Sequence, residues 1–243
     1  MASRWVPLES NPDVMNSWSS KAGLVTSQDQ FTDVYGFDPE LLAMVPQPVK
    51  AVVLLFPIGE EYEKKRKEED AKIAKEGQFP LDPTILWIKQ TIGNACGTMG
   101  LIHALANSNV TFEPESPLSK FIELCMDKTP EERAKLLETT PLFADIHAEA
   151  AAGGQTAAPS ANDRVDLHFT CFVQAPSPPA REDGIEADEE HHRLIELDGR
   201  RGGPVDRGVC KNLLEDAARF IKETYIPLST SLEFSMLALA PPA

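Results

Sequence analysis

The sequence lacks any apolar run long enough to cross a bilayer. A membrane-spanning helix needs about 20 mostly apolar residues, and no stretch of the 243-residue chain reaches that length. The residues behind Met1 also lack the apolar core of a secretory signal peptide. We therefore expect an intracellular protein without a membrane partner. The expected location is the cytoplasm, with the nucleus as an alternative.

Cysteine and basic residues are also scarce. The chain has four cysteines, and no two of them form a CxxC pair. A disulfide scaffold and a structural zinc site are therefore not expected, and the sequence indicates no metal or cofactor. Lysine and arginine number 23 against 38 acidic residues, for a formal charge of −15. This balance argues against nucleic acid as a partner and is compatible with a basic protein partner.

One stretch, residues 90–106, combines polar turn residues with a following apolar run. Cys96 lies where the turn meets the predicted helix. Free N–H groups and a partial positive charge at a helix N-terminus favour the thiolate, which is the nucleophilic form. Gln90 lies upstream and, with the Cys96 N–H, would supply two donors to an oxyanion. A buried structural cysteine is the alternative interpretation of the same residues.

The rest of the chain alternates between helical and extended patterns. Residues 49–58 form an apolar, β-branched run that is typical of a buried central strand, and residues 165–174 alternate in polarity like a half-buried strand. Two segments have loop composition. Residues 151–163 are rich in small residues. Residues 175–192 are rich in proline and acidic residues, and this composition predicts disorder of the second segment. Further strands are predicted at 31–35, 193–197 and 234–239, and helices at 60–77, 118–126, 129–137, 141–150 and 212–224.

A nucleophilic cysteine needs a base within hydrogen-bonding distance, and His168 is the best candidate. It lies on the predicted 165–174 strand, away from the main apolar row. If residues 193–198 pair antiparallel with that strand, Asp198 becomes its neighbour and orients the imidazole. A buried structural role for His168 is the alternative. His103 is two helical turns from Cys96, about 10.5 Å, which favours a packing role, and the other histidines fit less well: His147, His191 and His192.

The motif around Cys96 resembles the active-site signature of the ubiquitin carboxyl-terminal hydrolases, which are papain-like cysteine proteases. The matching residues are Gln90, Asn94-Ala95-Cys96-Gly97 and Leu101-Ile102-His103-Ala104. Leu167-His168-Phe169 and Glu196-Leu197-Asp198-Gly199 match two further motifs of the family. The resemblance extends from about residue 3 to residue 240.

The resemblance implies an α+β fold in which a central, mostly antiparallel sheet packs between helical lobes, and one catalytic domain over residues 1–243. It implies a thiol hydrolase that releases small adducts from the C-terminal glycine of ubiquitin. Cys96 would be the nucleophile, His168 the general base and acid, Asp198 the residue that orients His168, and Gln90 an oxyanion donor. Residues 149–164 would form a loop that crosses the active site, and residues 175–192 a disordered insert.

We expect a monomer that binds the tail and body of ubiquitin. Two alternatives remain at this point. One is a hydrolase for a ubiquitin-like modifier, and the other is a ubiquitin-binding adaptor whose site is misaligned.

Overall fold

The computed structural model describes residues 4–157, 159–161, 163, 165–178 and 192–243. In this part of the chain six strands form one sheet in the order β1-β6-β2-β3-β4-β5, and each neighbouring pair is antiparallel. The strands are β1 (Gln30–Asp33), β2 (Ala51–Pro57), β3 (Leu167–Pro176), β4 (His192–Leu197), β5 (Val205–Val209) and β6 (Ser235–Ala240).

Helices cover both faces of this sheet. They are α1 (Pro12–Ala22), α2 (Pro39–Leu42), α3 (Glu60–Glu76), α4 (Cys96–Ala106), α5 (Pro117–Cys125), α6 (Pro130–Glu138), α7 (Pro141–Ala152) and α8 (Leu213–Thr224), followed by a short 3₁₀ helix (Ile226–Leu228). No described helix has both the length and the apolar composition needed to span a bilayer.

Two apolar cores lie on opposite faces of the sheet. One contains α4 together with residues of α1, α5, α6 and α7. The other is formed mainly by α8, with Tyr62 of α3 and Leu42 of α2. A strand with apolar side chains on both faces is buried on both sides, and β2 and β3 occupy that position at the centre of the sheet. The predicted α+β arrangement, a sheet between helical lobes, is confirmed.

Local sequence signals set the helix ends. Asn11 accepts a hydrogen bond from the Asp13 N–H at 2.8 Å and Pro12 begins α1, which is a favourable N-terminal combination. Thr129 and Glu132 form a reciprocal capping box at the start of α6, as the sequence predicts.

The two predicted loop segments are shorter than expected. Residues 149–152 belong to α7, because alanine is the strongest helix former and the first stop signal is Gly153. Residues 175–176 extend β3 and residue 192 begins β4, since strand pairing there overrides the proline-rich composition. Most of the predicted insert, residues 179–191, lies outside the described residues. The assignment of the whole chain to one domain stays a prediction.

Candidate active site

Cys96 is the first residue of α4, which enters the core immediately behind it. The preceding turn is tight, with Asn94 at a φ of 61°, a conformation in which asparagine is enriched. The Asn94 side chain donates to the carbonyls of Trp5 and Ala161, both at 3.1 Å. The turn therefore fixes the half-buried thiol at the helix N-terminus, where the unpaired N–H groups of the first turn favour a negative charge.

His168 projects from β3 opposite Phe56 of β2 and is 2% exposed. The Phe56 ring meets the imidazole edge-on, with the ring centroids 5.7 Å apart. Because the His168 backbone is paired with β2, the position of the imidazole is set by the sheet rather than by a loop.

Asp198 follows the last residue of β4, and its carboxylate faces the imidazole. The β3–β4 register pairs Cys171 with Leu197, which places Asp198 diagonally across from His168 on the same face of the sheet. His168 Nε2 donates to Asp198 Oδ1 at 2.7 Å. The structure thus brings together the two residues for which the sequence predicts a cross-strand contact.

Three further groups hold Asp198 in place. The Arg200 N–H donates to Oδ1 at 2.8 Å, Trp87 Nε1 donates to the Asp198 main-chain carbonyl at 3.1 Å, and the Tyr62 hydroxyl lies 3.5 Å from Oδ2. Burial opposes the charge of Asp198, but His168 and the Arg200 N–H stabilise it and hold the carboxyl pKa at about 2. The carboxylate is therefore ionised at neutral pH.

The imidazole of His168 and the Cys96 thiol line the same cleft, and each shifts the pKa of the other. Burial raises the pKa of the Cys96 thiol, but the neighbouring His168 and the Phe169 N–H outweigh it, and the net pKa is below the ordinary value. Burial lowers the pKa of His168, yet Asp198 and Cys96 raise it well above the ordinary value. These directions favour a thiolate–imidazolium pair.

Gln90 lines the same cleft as Cys96 and His168. Its Nε2 donates to the Ile92 carbonyl at 3.2 Å, and its Oε1 is buried without a hydrogen-bond partner among the described residues. An amide nitrogen carries two hydrogens, so one N–H remains for a further acceptor. The position fits the predicted donor role, but in this state the amide is held by its own loop.

Cys96 lies where two cavities meet. One, of about 220 Å³, is mainly apolar and includes Leu8, Leu55 and Phe169. The other, of about 550 Å³, contains His168 and Gln90 and carries charged residues of both signs. The nucleophile is therefore reached from an apolar side and from a polar side.

The segment that follows α7 passes beside the Cys96 turn. Thr156 donates to the Glu9 carboxylate from its N–H at 3.0 Å and from its hydroxyl at 2.8 Å. The Ala161 carbonyl accepts from Asn94, two residues before the nucleophile. Thr156, Pro159 and Val165, which belong to this segment and its exit, line the apolar cavity, and Val165 also lines the polar one.

The remaining described histidines do not reach the thiol. His147 is buried between Thr98 and the Val6 carbonyl, and its burial lowers its pKa to about 4. His192 begins β4, and His191 lies outside the described residues. His103 packs inside the core, as its spacing predicts.

Sequence reasoning gave no role to four residues that support this site, Asn94, Trp87, Arg200 and Tyr62. Asn94 could have been found from its place in a Gly-Asn turn, since asparagine tolerates a positive φ. Trp87 and Arg200 act through a distant main-chain carbonyl and through a backbone N–H, and no sequence pattern reports either contact.

A helix-terminal thiol, a strand-borne imidazole and a buried carboxylate define a papain-like cysteine hydrolase site. Comparison with known proteins agrees. The family model described as "Ubiquitin carboxyl-terminal hydrolase, family 1" matches residues 5–226. The chain therefore belongs to the ubiquitin carboxyl-terminal hydrolase family 1, and it is a cysteine-type thiol enzyme.

Individual relatives support this assignment. The chain is 39% identical to ubiquitin carboxyl-terminal hydrolase 3 of Arabidopsis thaliana over 98% of this chain and 94% of that protein. It is 36% identical to the human ubiquitin carboxyl-terminal hydrolase isozyme L1 over 96% of both chains.

Solved structures show the same fold. The catalytic domain of Trichinella spiralis UCH37, solved bound to ubiquitin vinyl methyl ester, has a TM-score of 0.69 at 19% identity and covers 98% of this chain and 96% of that chain. A second structure of UCH37 from the same organism, also bound to ubiquitin vinyl methyl ester, has a TM-score of 0.66 at 20% identity, with 97% and 81% covered.

Proposed function

We propose that this chain is a deubiquitinating thiol hydrolase that cleaves small adducts or peptides from the C-terminal glycine of ubiquitin. The observation that carries the proposal is that the Cys96 thiol and the His168 imidazole line one cleft, with the imidazole held by a 2.7 Å bond to Asp198. The relatives are named for this activity, which supplies the substrate.

The chemistry follows from the orientation of the imidazole. Because Nε2 is bonded to Asp198, Nδ1 is the nitrogen that exchanges a proton with Cys96. The thiolate attacks the glycine carbonyl, and the oxyanion is held by the Cys96 N–H and by Gln90. His168 Nδ1 then protonates the leaving amine, and a thioester forms. Finally His168 takes a proton from water, which hydrolyses the thioester and frees Cys96.

The segment beside the Cys96 turn limits the leaving group. In this segment Thr156 is bound to Glu9 and Ala161 to Asn94, so an adduct on the polar side of the cleft has to pass next to them. Short peptides and small amines are then good substrates, and folded adducts are poor ones. A flexible Gly/Ser insert after Gly154 is expected to improve cleavage of folded adducts, whereas the same insert after Asp127, between α5 and α6, is not. Equal effects of both inserts would contradict this role.

The deciding experiment measures hydrolysis of a ubiquitin C-terminal fluorogenic amide. Cys96→Ala should abolish turnover while the protein stays folded, as judged by circular dichroism. Cys125→Ala is the matched control, since Cys125 is buried on α5 and burial raises its pKa to about 11. Turnover by the Cys96 variant would contradict the proposal.

Parallel kinetics with a ubiquitin-like modifier test the substrate. The shared cleft of Cys96 and His168, together with the bond from His168 to Asp198, supports an assembled site rather than a misaligned adaptor. A cytoplasmic monomer is also part of the proposal. Light scattering of the purified protein would contradict the monomer if it gave twice the chain mass, and cell fractionation tests the location.

A further inference from the structure

The core histidine His103 has no part in the chemistry above, yet both of its ring nitrogens are engaged. The Ile88 N–H donates to Nε2 at 3.0 Å, and Nδ1 lies 3.2 Å from the Leu197 carbonyl oxygen. A main-chain N–H only donates and a carbonyl only accepts. The imidazole is therefore the neutral tautomer with its hydrogen on Nδ1.

The two partners of His103 belong to the two other segments of the site. Ile88 lies two residues before Gln90, and Leu197 immediately precedes Asp198. His103 itself is on α4, the helix that begins at Cys96. One buried ring thus connects the segments that carry the nucleophile, the oxyanion donor and the carboxylate.

The same two segments are also joined directly. The Gln90 N–H donates to the Gly199 carbonyl at 2.8 Å, and Trp87 Nε1 donates to the Asp198 carbonyl at 3.1 Å. These bonds fix Gln90 relative to Asp198 but do not reach α4. Asn107, at the C-terminal end of α4, also binds the main chain of Leu86 at 2.7 and 2.8 Å, but His103 is the α4 side chain that binds both segments.

Burial keeps the ring in the form that makes both bonds. His103 is 0% exposed, and its burial lowers its pKa to about 4, so Nε2 remains an acceptor at neutral pH. An aliphatic side chain would leave two buried main-chain groups unpaired, which displaces backbone or admits water.

We propose that His103 is a positioning residue that holds the Cys96 helix, the Gln90 segment and the Asp198 turn in register. The inference rests on the hydrolase function proposed above. It assigns to His103 no contact with substrate and no proton transfer.

Two near-isosteric variants separate the two bonds. In His103→Asn the amide nitrogen occupies the place of Nδ1 and keeps the bond to Leu197. In His103→Gln the amide oxygen occupies the place of Nε2 and keeps the bond from Ile88. His103→Leu loses both. A displacement of about 1 Å at a reacting group costs about 100-fold in rate, so we expect about that loss of kcat for the leucine variant, intermediate losses for the other two, and little change in KM.

A second readout does not depend on ubiquitin. The rate of Cys96 alkylation by iodoacetamide is measured against pH, with the adduct located by mass spectrometry. When the thiol loses its alignment with His168, the pKa of Cys96 rises, and the alkylation midpoint moves to higher pH. The control is Asn16→Ala, which also removes two side-chain bonds to the backbone, those to Phe31 at 2.9 and 2.7 Å, but at the edge of the sheet. It should lower the melting temperature without moving kcat or the midpoint.

Unchanged kcat and midpoint in any folded His103 variant that has lost a bond would overturn the inference. The inference would also be overturned if Asn16→Ala lost as much kcat as a His103 variant with the same melting temperature, because the effect would then be general destabilisation. If the leucine variant does not fold, the asparagine and glutamine variants decide by the same criteria. If the wild type fails to cleave ubiquitin amides, the hydrolase proposal fails, and the alkylation midpoints still decide the role of His103.

Discussion

Replacing Asp198 by asparagine removes one charge from the site with almost no change of shape. Asp198 Oδ1 accepts from His168 Nε2 at 2.7 Å and from the Arg200 N–H at 2.8 Å. An amide oxygen in the same place accepts both bonds. The variant therefore keeps the imidazole orientation and loses the electrostatic stabilisation of the imidazolium.

The size of the effect follows from the hydrogen bond. A bond to an ionised partner contributes about 1.5–3 kcal/mol and a bond between neutral groups about 1 kcal/mol, so the change costs about 0.5–2 kcal/mol. At about 1.4 kcal/mol per tenfold this is a roughly 2- to 30-fold loss of kcat. Without the carboxylate the pKa of His168 falls, because Asp198 raises it. The thiolate is then less favoured, and the pKa of Cys96 rises.

Two assays follow these changes. Turnover of the fluorogenic ubiquitin amide gives kcat. The alkaline limb of its pH profile, where the imidazolium deprotonates, should move to lower pH. Alkylation of Cys96 should move to higher pH. Asp206→Asn is the control, because Asp206 pairs with Arg193 on β4 and β5 at 2.8 and 2.6 Å. Wild-type kcat and an unmoved midpoint in Asp198→Asn would refute the reasoning.

Three further variants test other parts of the account. Gln90→Ala should lower kcat by about 100- to 1000-fold with little change in KM if its amide supports the oxyanion; an unchanged kcat would exclude that role. Gly199→Ala should lower kcat, because a new Cβ would lie 2.9 Å from the Gln90 Cβ, whereas Gly202→Ala, which meets no atom within 4 Å, should be neutral. Arg201→Met should lower the free energy of unfolding by about 3–5 kcal/mol in urea titration, since the 2%-exposed side chain pairs with the buried Glu196 and the half-buried Asp70; a change below about 1 kcal/mol, typical of an exposed pair, would contradict this.

The sheet and the pairing that builds the site follow from local patterns. Alternation in residues 165–174 and a second short strand predict an antiparallel pair, and that pair brings His168 to Asp198. The insert between the strands does not disturb this contact, because loop length costs little once the strands pair. A contact of this kind is predictable since both residues lie on regular elements.

Contacts that depend on tertiary packing were not predictable. The helical spacing indicates a core position for His103, but its bonds to Ile88 and Leu197 arise only when three segments converge. Composition also misplaced the start of the crossing segment. The alanine-rich residues at the end of α7 have small side chains, which suggested a loop, yet alanine favours the helix until Gly153 ends it.

The most direct test of the central claim is covalent labelling with ubiquitin vinyl methyl ester, followed by mass spectrometry of the adduct. The account predicts one ubiquitin per chain, attached to Cys96, with no adduct in Cys96→Ala and a normal adduct in Cys125→Ala. Attachment at another residue, or no adduct on a folded protein that still binds ubiquitin, would contradict it.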